Sequence, residues 1–144
     1  MSVKYNQQLA ERIYRFFDQN KIDDLANLFS KNATILHVPT NLKFTGPEGF
    51  KQATKIWKGA FSDARCEIKN QIVNDDYIVT EFNGVGTNDG ALETPMGKIG
   101  PTGKKVSIPF VEILKINNEK VESSKLYFDV TTMLHQLEVS HERV

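Results

Sequence analysis

The chain has 144 residues, 40% hydrophobic and 25% charged, the size and balance of one globular domain spanning residues 1–144 rather than of a disordered or fibrous chain. Lys plus Arg and Asp plus Glu are equal at 18 each, and the densest basic site is only the pair Lys104 and Lys105, so neither nucleic acid nor an anionic membrane has an electrostatic footprint to bind. Cys66 is the only cysteine, which excludes an internal disulfide and a cysteine-based metal site, and no apolar stretch approaches the roughly 20 residues of a membrane helix.

The first eight residues are polar and lack the apolar segment of a secretion signal, so a cytoplasmic protein is expected. Tyr5, Leu9, Ile13, Phe16 and Phe17 then form a helical stripe, with Gln7, Gln8, Glu11, Arg12 and Arg15 on the other side. A short helix is predicted from Asp23 to Phe29, a strand from Ala33 to Val38, and a loop from Pro39 to Thr45. Gly46-Pro47-Glu48 reads as a helix start, with Pro at the first helical position and an acid in the first turn. Phe50, Ala53, Trp57, Ala60 and Phe61 keep one face of that helix apolar, and Gly59 marks its fraying end.

The period then changes to two. Cys66, Ile68, Asn70 and Ile72 alternate with Arg65, Glu67, Lys69 and Gln71, which predicts a half-buried strand. Asn74-Asp75-Asp76 is a turn, and Tyr77 to Val85 the next strand. Six glycines from Gly84 to Gly103 punctuate a long irregular connection. Lys104 to Ile116 is a long strand, apolar on both faces in its middle. Asn117-Asn118-Glu119 is a hairpin turn, Val121 to Phe128 the last strand, and Val130 to Leu137 a terminal helix. Helices first and antiparallel strands after argue for α+β, with a pocket between the helices and a bent sheet.

Two ordered stretches carry a family likeness. The first is Ile35-Leu36-His37-Val38-Pro39, then Gly46-Pro47-Glu48-Gly49-Phe50, then Ala60-Phe61-Ser62-Asp63. The second is Gly86-Thr87-Asn88-Asp89-Gly90, then Pro101-Thr102-Gly103-Lys104, then Asp129, Leu134, Gln136 and Leu137. Together they resemble the SnoaL-like polyketide cyclases of the nuclear-transport-factor-2-like superfamily. The resemblance implies a cone-like α+β barrel, its N-terminal helices packed on a strongly curved, mainly antiparallel sheet. It also implies a homodimer or homotetramer, and cofactor-free closure of a polyketide ring by an aldol reaction with an aspartate base. By motif position that base is Asp129. The chain departs from the family pattern at Lys125, where a Trp is usual, at Ser123 or Ser124, where a Glu is common, and at Asn88, often a His.

Each candidate residue has two readings. Asp129 is either a base in an apolar cavity or the N-cap of the terminal helix. His37 shares a face with Ala33 and Ile35, and either polarises a carbonyl or sits as a buried structural histidine. Lys125 could stabilise an enolate if it points inward. Strand alternation groups Phe110, Glu112 and Leu114 on one face, and parity alone does not decide whether Glu112 or Glu81 faces the cavity. Trp57, Phe61, Phe110, Tyr14 and Tyr127 are the aromatics expected to wall a pocket. Cys66 reads as an inert core residue, and His135 and His141 as surface residues. Three dispersed histidines make no metal site, and no cofactor is expected. Pro101-Thr102-Gly103-Lys104 lacks phosphate-loop spacing and reads as a turn opening a strand. Two functions follow: a small cofactor-independent cyclase or isomerase removing a proton α to a carbonyl, or a non-catalytic module binding a hydrophobic small molecule.

Overall fold

The computed structural model describes residues 3–94 and 97–139. Helix α1 (Val3–Asp18) buries Asn6, Leu9, Ala10, Ile13 and Tyr14, the i, i+3, i+4, i+7, i+8 stripe of an amphipathic helix. Its end is set by Asn20, left-handed at φ 58°, while Lys21 N–H and Asn20 N–H donate back to the Phe16 and Phe17 carbonyls. Helix α2 (Ile22–Ala26) is shorter than expected, because the chain is already extended at Phe29. There the Phe29 ring stacks on Phe50 at 4.1 Å and holds the start of β1 (Phe29–His37).

The predicted loop before residue 46 is instead a 3-10 turn (Val38–Thr40) and strand β2 (Leu42–Thr45), hairpinned antiparallel to β1 from Thr34↔Thr45 to His37↔Leu42. Helix α3 (Gly46–Ala60) follows. Gly46 stands at φ +71°, and a Cβ there would lie 2.5 Å from the Lys31 carbonyl oxygen, so no other residue fits the corner. Strands β3 (Arg65–Val73) and β4 (Tyr77–Thr87) flank a turn in which the Asn74 side chain accepts from the Asp76 and Tyr77 N–H groups. The connection expected to be irregular contains a short hairpin, β5 (Leu92–Thr94) and β6 (Gly97–Ile99), anchored by fully buried Leu92 against α3. Strands β7 (Lys105–Asn117) and β8 (Lys120–Phe128) and helix α4 (Val130–Gln136) complete the chain.

The six-stranded sheet runs β2-β1-β8-β7-β4-β3, with only β1 and β8 parallel. It is an open, curved cone rather than a closed barrel. Helix α1 lies on β3 and β4, α3 on β1 and β2, and α4 on β7. The core between helices and sheet contains Leu9, Leu25, Ile78 and Leu114, each essentially inaccessible, and each such side chain stabilises by about 1.5–3 kcal/mol. Among the described residues no helix is long and apolar enough to cross a membrane.

Two register shifts decide which side chains face that core. Between β7 and β8 the pairing steps from Ile116↔Val121 to Lys115↔Ser123, leaving Glu122 as an extra residue. Such a bulge reverses side-chain parity beyond it. Val121 therefore points inward, and so do Ser124, Leu126 and Phe128, while Lys125 and Tyr127 point out. On β3 a shift between Ile68 and Asn70 leaves Lys69 as the extra residue and turns Ile72 to the outer face with Val79, while Ile68, in phase with Cys66, is exposed because β3 is an edge strand.

Candidate active site

A cavity of about 100 Å³ opens between the helices and the concave face of the sheet. Its wall is almost wholly apolar. On β7 the even-numbered residues Val106, Ile108, Phe110, Glu112 and Leu114 point to the concave side, which answers the question that parity left open: Glu112 is inside. Glu81, of the opposite parity on β4, is exposed on the outer face and accepts from Asn70 Nδ2 at 3.3 Å.

Two polar side chains from two other elements meet at Glu112. Tyr14, buried on α1, donates its hydroxyl to Glu112 Oε1 at 2.7 Å, and Ser124, buried on β8, donates to Oε2 at 3.2 Å. Glu112 is half-buried as a residue, but both carboxylate oxygens are turned to these buried partners. Among the described residues no Lys or Arg lines the cavity to balance the charge. Burial accordingly raises the Glu112 pKa, and the hydrogen bonds from Tyr14 and Ser124 draw it back only in part. The Tyr14 hydroxyl is pushed well above its ordinary value by burial and then by the adjacent carboxylate.

His37 ends β1 with its ring inside, 4% exposed, among Phe44, Trp57 and Phe128 at centroid distances of 5.6, 5.8 and 6.4 Å. Burial lowers its pKa to about 4, so it is a neutral imidazole at physiological pH. Trp57 packs edge-on to Phe110 at 5.3 Å and Phe128 at 5.0 Å, and its indole N–H is buried without a hydrogen-bond partner. Phe61 and Cys66 also line the cavity, and burial raises the Cys66 thiol far above the range in which it would react. At one edge, Lys58 Nζ donates to the Ala64 carbonyl at 2.6 Å while lying 4.1 Å over the Phe17 ring, tying α3 to the chain before β3.

Of the expected site residues, His37, Trp57, Phe61, Tyr14, Phe110 and Glu112 share this cavity. Three do not. Lys125 and Tyr127 are exposed on the outer face, turned there by the Glu122 bulge. Asp129 is exposed and caps α4: its Oδ1 accepts from Thr132 N–H at 2.9 Å and its Oδ2 from Thr132 Oγ1 at 2.7 Å. These hydrogen bonds lower its pKa, the opposite of what a proton-abstracting base in an apolar pocket needs. Asp129 and Tyr127 border a shallow groove on the outer face together with Glu81. Ser124 is not among the expected residues, and no signal in the sequence points to it, because the bulge that turns it inward is fixed by the pairing of β8 with β7. His135 is exposed, and His141 lies outside the described residues.

The motif residues outside the cavity have structural work. Asp63 accepts from Thr87 N–H at 2.8 Å. Asn88, fully buried, donates to the Ala60 and Gly90 carbonyls and accepts from Thr102 N–H and Oγ1, joining the end of α3 to the end of β4 and the approach to β7. Gln136 pairs both ways with the Ser107 backbone, at 2.8 and 2.9 Å, and docks α4 on β7. Among the described residues no three of His, Cys, Asp and Glu cluster as metal ligands would.

The family model for the SnoaL-like polyketide cyclases matches residues 7–137. No curated protein matches the chain in sequence. Solved structures share the fold. TsrD from Streptomyces laurentii superposes with a TM-score of 0.82 at 17% identity, over 97% of this chain and 99% of that one. A Jannaschia sp. CCS1 protein described as a SnoaL-like polyketide cyclase gives 0.77 at 18%, over 93% and 94%. A Catenulispora acidiphila protein with a ketosteroid isomerase-like fold, crystallised with trimethylamine, gives 0.74 at 16%, over 90% and 91%.

Proposed function

The chain belongs to the SnoaL-like polyketide cyclase family, and from that premise we propose that it is a cofactor-independent enzyme that removes a proton α to a carbonyl, with Glu112 rather than Asp129 as the base. The observation that carries this reading is the Tyr14–Glu112–Ser124 cluster, the one carboxylate among the residues lining an otherwise apolar cavity. A carboxylate in such a place is a stronger base than in water, because protonation relieves its desolvation. Tyr14 and Ser124 fix its orientation. The proton at the α-carbon passes to Glu112, and the C–H electron pair moves into the carbonyl to give an enolate. The neutral imidazole of His37, through its N–H, is assigned to the developing oxyanion. The enolate then attacks a second carbonyl of the same molecule, closing a ring as the alkoxide so formed takes the proton back from Glu112, or is reprotonated from Glu112 at another carbon, an isomerisation.

The test is exchange of α-protons of small ketones with deuterated solvent, followed by NMR. Glu112→Gln keeps the size of the side chain and one acceptor oxygen, and is expected to slow exchange about 10²–10⁴-fold. Asp129→Asn, which keeps a capping side chain, is expected to exchange at the wild-type rate. Loss of exchange in a folded Asp129→Asn variant would return the base to that position.

The exposure of Asp129 favours the second reading, a non-catalytic module that holds a hydrophobic small molecule. Under it, ligands bind and wild-type protein exchanges no faster than solvent. With either reading we propose a homodimer formed through the outer sheet face, a reading supported by the exposure of Ile72, Tyr77 and Tyr127 there.

A further inference from the structure

Resting on the carbonyl chemistry just proposed, we infer that the substrate is compact, with about four non-hydrogen atoms in the part that enters the cavity, and that Phe110 seated on Gly84 sets this limit. An apolar cavity of about 150 Å³ takes one benzene, six non-hydrogen atoms, so the present ~100 Å³ takes about four such atoms, a carbonyl group and its two α-carbons. A fused two- or three-ring polyketide does not fit beside the rings already there.

The space that a larger ligand needs is occupied by an aromatic block. The Phe82 and Phe110 rings stack at 5.1 Å and 4°. Phe110 also meets Trp57 and Phe128, each at 5.3 Å. Contacts on these sides hold the Phe110 ring in one place. Its position depends on the neighbouring strand: a Cβ at Gly84 would lie 2.5 Å from Phe110 Cε1, so only glycine lets the ring lie flat over β4. The polar groups of the wall are the Tyr14–Glu112–Ser124 cluster, His37, Thr54, Cys66 and the indole N–H of Trp57, enough to orient one carbonyl group but no long array of oxygens.

Trp57 is the only tryptophan and lines the cavity, so its fluorescence reports occupancy without reference to catalysis. Wild-type protein is titrated with cyclopentanone and with 2-decalone. Saturable quenching by cyclopentanone, with none by 2-decalone at the same concentrations, is the expected result. Phe110→Ala should gain 2-decalone binding at least tenfold, and Phe110→Leu, which keeps an apolar side chain in the core, is the second variant if the first does not fold. Wild-type binding of 2-decalone as tight as that of cyclopentanone, or no saturable response to cyclopentanone, overturns the size limit. No gain in a folded variant removes Phe110 as its cause. If cyclopentanone binds but its α-protons do not exchange, the catalytic reading falls and the size limit stands.

Discussion

His37 pays for its place in the aromatic wall in proton affinity. The unfolded chain protonates it near the ordinary value of 6.5, the folded chain only near 4. Between those values the unfolded state holds more protons, so stability falls as pH is lowered through the window, by on the order of 3 kcal/mol across all of it. Urea denaturation at pH 7 and pH 4.5 should show a smaller loss for His37→Phe than for wild type. Glu112 works in the other direction. Its raised pKa means that the folded state holds the proton to higher pH, so its ionisation costs stability as pH rises through the folded value. Glu112→Gln should therefore be at least as stable as wild type at pH 7 while losing exchange activity, a separation visible by combining urea melts with the NMR assay. At Asp129 the cap makes a third prediction: Asp129→Ala lowers the melting temperature, and Asp129→Asn, which caps as well, does not.

At the scale of elements, the Asn88 clasp holds the end of α3 to the end of β4 and the approach to β7. Its four hydrogen bonds are made by a fully buried side chain, so Asn88→Ala leaves two carbonyls and the Thr102 donors without their partner. A loss of about 2–3 kcal/mol in a urea melt is expected. This clasp also shows what the family motifs encode here. Asp63, Thr87, Asn88 and Thr102 bind one another's segments, and Asp129, Leu134, Gln136 and Leu137 cap and dock α4. The motifs were legible as a family likeness because they are local and ordered. Their chemistry was not, since a capping aspartate and a catalytic one look alike in a linear sequence.

Over the whole molecule, the open sheet leaves its outer face uncovered by helices. Ile72, Tyr77 and Tyr127 are exposed there, with Val79, Val111 and Ile113 half-buried on the same strand faces. Sedimentation velocity should give a dimer for wild type and a monomer for a Tyr127→Glu variant. A wild-type monomer at tens of micromolar would remove the dimer.

The amino-acid sequence by itself determined the order of the helices and the long strands, the helical stripe of α1, the Pro-started helix α3, the tight turns at Asn74 and Asn118, and the family, but not β2 or the β5–β6 hairpin. All of these rest on interactions within a few residues of one another. It also grouped Phe110, Glu112 and Leu114 on one face of β7, as alternation requires. Only the tertiary structure decided that this face is the inner one, because both faces of the strand are apolar in its middle. Only the tertiary structure turned β8 over, through the extra Glu122 between Val121 and Ser123, which brought Ser124 to Glu112 and sent Lys125 and Tyr127 outward. The reason is physical: alternation is a property of one strand, whereas a bulge is fixed by the pairing of that strand with its neighbours, and the face that is buried is fixed by the helices that cover it.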